Sequence, residues 1–163
     1  MDYNANYPRL GGFEYNMGRT ATTKDYALMS DTYLAFHVGL LKLAYNNLIA
    51  QPPFNQADIS EVDGSFLDKL EGLIHDADEG EIDYALGQDV ICRIPAAYPE
   101  LMPTLPRDLL WFFGGDCLHY MPDEEIEEFQ KLDEARFEAQ ASDADFNYEA
   151  MRMLMISTPK QAH

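Results

Sequence analysis

Apolar positions recur at three- and four-residue spacing along most of this chain, a period that predicts helices. The first runs from Thr23 through Tyr26, Met29, Tyr33, Phe36, Val38, Leu40, Leu41, Leu43, Tyr45 and Leu48, and Pro52-Pro53 stops it. Thr23 can accept from the free amides of the first turn, and a break near Ser30-Asp31 would let Asp31 cap a second helix. From Tyr33 onward apolar residues fall on almost every face, which predicts a helix central to its domain. A further helix is expected from Ser65, with Phe66, Leu67, Leu70, Leu73 and Ile74 as its stripe and Asp68 completing a capping box. Another spans Ile82 to Ile94 and turns Leu86, Val90, Ile91 and Ile94 inward. A strand over residues 90–94 is the competing assignment.

Pro95, Pro99, Pro103 and Pro106 then mark an irregular connection. Pro106 suits the first turn of a short helix over Leu109 to Phe113, which either ends at Gly114 or continues through the glycines to Tyr120. Pro122, Asp123, Glu124 and Glu125 open the next, with Ile126, Phe129, Leu132 and Phe137 as its buried stripe and polar residues elsewhere. Asp145 is expected to cap a last helix that turns Phe146, Ala150, Met153 and Leu154 inward. Helix follows helix without a repeat. The predicted fold is all-α, a bundle of about five to six helices, with α+β carrying a short strand near 90–94 as the alternative.

Residues 1–22 break the period. Tyr3, Tyr7, Phe13 and Tyr15 lie there among Asn and Gly, and predict an irregular aromatic arm across this domain or a neighbouring subunit. Residues 23–158 form the expected helical domain and 159–163 a tail. At 163 residues and 47% hydrophobic, the chain suits one globular domain. Two cysteines, Cys92 and Cys117, make no disulfide framework and no CxxC pair, which favours a reducing compartment. No basic start or apolar run opens the chain, so a cytoplasmic location is expected.

Charge sharpens the picture. The net charge is −18, and it is concentrated in two blocks. Residues 58–89 hold eleven acids against Lys69 alone, and residues 121–149 hold eleven against Lys131 and Arg136. Such a surface repels nucleic acid and anionic membranes, so neither is an expected partner. It suits a basic protein partner, cations or plain solubility.

The richest stretch for chemistry is Trp111 to Glu125. Trp111, Phe112, Phe113, His119 and Tyr120 could line an apolar pocket beside Cys117, with Asp116 and Arg107 or Arg93 as polar anchors. The same residues could form the interior of a bundle, and that reading is preferred. Asp116 and His119, three apart, share a helical face and are the only weak metal candidates. A di-iron bundle needs a second Glu-x-x-His copy that is missing, and no HExxH or calcium loop occurs. No cofactor is expected. Cys117 and His119 would pair on a strand but point roughly 200° apart on a helix, so no nucleophile dyad is assigned. His37, on an apolar helix, reads as a core histidine. Gly114-Gly115 and Gly11-Gly12 lack the companions of a phosphate loop.

Without a complete catalytic constellation, the expected function is a non-enzymatic interaction or regulatory module that forms a homodimer. The alternatives are a small-molecule- or metal-binding protein or enzyme using the region from Trp111 to Glu125, and an acidic mimic of nucleic acid that occupies a basic protein.

Overall fold

The computed structural model describes residues 23–156, with side chains from residue 32 onward. These residues form α1 (Thr23–Ile49), α2 (Glu61–Asp78), α3 (Tyr84–Ala97), a 3-10 helix (Pro99–Thr104), α4 (Arg107–Phe113), a second 3-10 helix (Gly115–Tyr120), α5 (Asp123–Ala141) and α6 (Tyr148–Met155). The protein is all-α, and residues 90–94, where a strand competed, lie within α3. The arm expected over 1–22 and the tail over 159–163 lie outside the described residues. Among the described residues, no helix is long and apolar enough to cross a membrane.

Two compact units divide the described chain. One comprises residues 34–120, and the other joins residues 23–33 to 121–156. Within the first, α3 is the hub, packed against α2, α4 and both 3-10 helices. Gly87 lets α4 come close, because a Cβ there would stand 2.0 Å from Cε1 of Phe113. Phe112 stacks on His37 at 4.4 Å, and both are buried. Phe54, Phe66 and Tyr98 form a second cluster, with ring centroids 4.9–5.5 Å apart.

α1 is unbroken at Ser30-Asp31 and ends before Pro52-Pro53. From His37 it buries Val38, Leu41, Ala44 and Leu48 along one stripe, while Leu43 and Ile49 are exposed. It is therefore amphipathic rather than enclosed on every side. α2 starts one turn earlier than its expected Ser65 cap. The Ser60 hydroxyl accepts from the Asp63 amide at 3.1 Å, and the Gly64 amide reaches the Ser60 carbonyl at 2.8 Å. Ser60-x-x-Asp63 and Ser65-x-x-Asp68 both fit a capping box, and starting at the first adds a turn of backbone hydrogen bonds. α3 begins after Asp83, whose carboxylate accepts from the Leu86 amide at 2.9 Å, and it absorbs Pro95 before ending at Ala97.

In the second unit, α5 and α6 pack together. α5 buries Phe129 and Leu132 as expected, but Asp133, Arg136 and Gln140 extend that stripe where a wet face was anticipated. α6 is capped by Asn147 rather than Asp145, its side chain accepting from the Ala150 amide at 2.9 Å. Met153 and Leu154, expected inward, are 74% and 80% exposed. Tyr148 takes the buried position against Tyr33. A 3.6-residue period then keeps Met151, Arg152 and Met155 on its side and turns Ala150, Met153 and Leu154 to solvent.

Candidate functional site

The residues from Arg107 to Tyr120 separate into two groups. Trp111, Phe113 and Cys117 are buried, the first two on α4 and the third on the second 3-10 helix. Asp116 and His119 face water, with side chains 93% and 80% exposed and a 3.8 Å contact between them. Arg107 donates to the Tyr120 carbonyl at 2.8 Å, tying the start of α4 to the end of the 3-10 helix. Trp111, Phe113 and Cys117 point in, whereas Asp116, His119 and Tyr120 are exposed, so these residues do not converge on a common space. Asp116 and His119 gain no third ligand, and no group of three His, Cys, Asp or Glu that could hold a metal occurs among the described residues. Cys117 and His119 diverge on the 3-10 helix, one inside and one outside.

The glycine pair makes a turn. Gly114 and Gly115 adopt φ of 64° and 57°, left-handed values that L side chains rarely take. A Cβ on Gly115 would also stand 2.8 Å from the Gln88 side chain. That side chain spans the junction, its amide donating to the Phe113 carbonyl at 2.9 Å. The turn thus ends α4 and sends the chain back beneath α3.

A cleft of about 580 Å³ lies between α2 and α3. Glu61, Val62, Ser65, Phe66 and Lys69 line it from α2, at a spacing that selects one helical face. Leu86, Asp89, Val90 and Arg93 line it from α3 at i, i+3, i+4 and i+7, again one face. The apolar members make its walls. Two cations and two carboxylates share the space, and among the described residues none of the four is held in an ion pair. Arg93 buries its Nε without a hydrogen-bond partner among the described residues, and its guanidinium lies 5.8 Å from the Tyr98 ring centroid. Tyr98 in turn donates its hydroxyl to Asp63. That bond, assisted by Ser60, holds the Asp63 carboxyl below its ordinary range, whereas burial and the same bond push the Tyr98 phenol up.

The chain belongs to the PA2817-like family. The family's model matches residues 29–163, a span containing the whole cleft and the glycine turn. No curated protein and no solved structure matches the chain. Membership in the PA2817-like family names no reaction, ligand or partner. The cleft of this PA2817-like chain was not singled out from its sequence. Its one clue is Lys69, the single base among residues 58–89, set on the same helical face as Glu61 and Ser65. Which face of α3 stands opposite is a tertiary fact that no local pattern carries.

Proposed function

We propose that this PA2817-like protein is a non-enzymatic binding module whose α2–α3 cleft takes a small apolar zwitterion, such as a free apolar amino acid. The observation that carries this reading is the set of four charges, Lys69, Arg93, Glu61 and Asp89, lining one cleft with apolar walls and no ion pairs among them. The volume falls within the usual range of small-molecule sites, and mixed apolar walls with few polar anchors are their usual composition. A carboxylate would meet Lys69 and Arg93, an ammonium would meet Glu61 or Asp89, and the side chain would lie against Val62, Phe66, Leu86 and Val90. In a chain of net charge −18, paired cations on a cleft are the feature most specific to an anionic group. A location in the cytoplasm accords with the two free thiols.

Calorimetric titration with phenylalanine and leucine tests the reading. Saturable heat is expected, weakened for phenylalaninamide, which lacks the carboxylate, and for N-acetylphenylalanine, which lacks the ammonium. Arg93→Gln and Lys69→Gln should each reduce affinity while leaving the helical circular dichroism intact. A flat titration with both amino acids overturns it.

A second reading, self-association, is favoured by α6. Its exposed Met153 and Leu154 form an adjacent apolar pair that a second copy would cover.

A further inference from the structure

The two cysteines are 25 residues apart in sequence, yet their sulfurs stand 3.0 Å apart. This is closer than two sulfurs in ordinary contact, and an approach of about 1 Å would bring them to bonding distance. Cys92 sits on α3 and is partly exposed, while Cys117 sits on the second 3-10 helix and is buried. The arrangement is built rather than incidental. Gly114 and Gly115 supply the reversal that returns the chain beneath α3, and the Gln88 side chain fastens that reversal to Phe113. The Cys117 thiol also lies 3.8 Å from the Gln88 carbonyl, which can accept from it.

We propose that Cys92 and Cys117 form a reversible intramolecular disulfide by exchange with a small disulfide, Cys92 being the attacking thiol. Access decides the order, since Cys92 reaches solvent and Cys117 does not. Electrostatics supports it: the hydrogen bond between the two thiols holds the Cys92 thiol below its ordinary range, against burial and the nearby Asp116 and Asp89 carboxylates. The same bond, with burial, pushes the Cys117 thiol up. Cys92 therefore ionises first, and the thiolate is the reactive form.

The chemistry balances as two exchanges. The Cys92 thiolate, its proton lost to water, attacks one sulfur of the small disulfide. The bond between that sulfur and its mate breaks, and the released thiolate takes a proton from water. A mixed disulfide now joins Cys92 to half of the reagent. Cys117 then gives up its proton and attacks the Cys92 sulfur, expelling the second half as a thiolate that is protonated in turn. Two protein thiols are oxidised to one disulfide, and one reagent disulfide is reduced to two thiols. Asp89 and Asp116 place negative charge near Cys92, so a neutral disulfide reacts faster than an anionic one. This inference is independent of the ligand proposed for the cleft, because neither cysteine lines it.

The test is incubation of the purified protein with hydroxyethyl disulfide or oxidised glutathione, followed by acid quenching, alkylation and digestion without reduction. The expected product has lost two hydrogens, yields one peptide pair cross-linked through Cys92 and Cys117, and reverts with dithiothreitol. Hydroxyethyl disulfide should act faster than oxidised glutathione. Cys117→Ala should stall with the reagent attached at Cys92, and Cys92→Ala should leave Cys117 unmodified. If Cys117→Ala does not fold, Cys117→Ser and the wild-type peptide map carry the decision. The proposal is overturned if both wild-type thiols remain alkylatable throughout, if Cys92 keeps an adduct without cross-linking, or if the link joins two chains.

Discussion

Arg136 and Asp133, one turn apart on α5, form an ion pair at 3.2 Å with side chains only 3% and 11% exposed. The guanidinium also lies 3.9 Å from the centroid of the Tyr33 ring. Burial opposes its charge, but Tyr33, Asp133 and Tyr148 together favour the charged form and raise its pKa. Removing Asp133 takes away one of the groups that offset that burial. Asp133→Ala is therefore expected to destabilise the protein by about 3–5 kcal/mol, the usual cost of breaking a buried pair. Arg136→Met with Asp133→Leu should recover much of that loss, because apolar replacements of similar volume leave no orphan charge. Urea unfolding of the single and double variants measures both.

Trp111 is buried on α4 within the unit of residues 34–120. Trp111→Ala should cost about 3–5 kcal/mol, as deletion of a large core aromatic usually does. A loss under about 1 kcal/mol in urea, with fluorescence showing a solvated indole, would be a surface residue's response.

Helix existence was legible in the sequence wherever a long apolar stripe recurred, as in α1, α3 and α5. Two features were hidden for physical reasons. Ser60 and Ser65 each begin an S-x-x-D pattern, so choosing the cap required the backbone itself. Arg136 and Asp133 are polar by type, and nothing local says that the Tyr33 ring would lie against Arg136. The candidate residues near Trp111 form a group in sequence, yet burial divides them, with Trp111, Phe113 and Cys117 inside and Asp116, His119 and Tyr120 exposed. Cys92 and Cys117 meet only because that turn reverses the chain, a long-range consequence of two backbone angles.

Gly87 offers a steric test of the α3–α4 contact. A Cβ there would overlap the Phe113 ring edge at 2.0 Å, and Phe113 is fully buried, leaving the ring little room to move. The helix propensity gained by Gly87→Ala is worth about 1 kcal/mol and opposes the clash. Overpacking of a dense core costs about 1–3 kcal/mol, so net destabilisation is expected. Adding Phe113→Leu should narrow the deficit. Thermal unfolding of the two variants and the wild type decides, and a Gly87→Ala protein more stable than wild type would refute the close approach.

Asp63 and Tyr98 give a pH dependence with a definite sign. The folded Asp63 carboxyl titrates below its ordinary value of 3.8, chiefly through the Tyr98 hydroxyl and then Ser60. Between the two values the unfolded chain binds more protons than the folded one, so stability rises with pH there. The contribution is fully present above the ordinary value and is lost as pH falls through the depressed one. Tyr98→Phe removes the donor but keeps most of the ring packing. The wild type should melt higher than Tyr98→Phe near neutrality, and the gap should shrink on acidification below the ordinary value. Melting points across an acid series measure it, and a gap that widens in acid would contradict the assignment.

Self-association is expected to run through α6. Large apolar side chains side by side in water favour burial, and Met153 with Leu154 is the most exposed adjacent pair on this chain's described surface. Charge selects the same place. Two copies at −18 each repel, so an interface must avoid the acidic blocks, and residues 150–163 carry Arg152 and Lys160 with no acid at all. A closed dimer would pair the same patch on both copies. Because added salt screens the remaining repulsion, dimerisation should strengthen from low to moderate ionic strength. Sedimentation velocity at both salt levels should show that shift for the wild type. Met153→Glu with Leu154→Glu should stay monomeric throughout with helical content unchanged. A wild type that is monomeric under both conditions would show that the α6 pair is left in water.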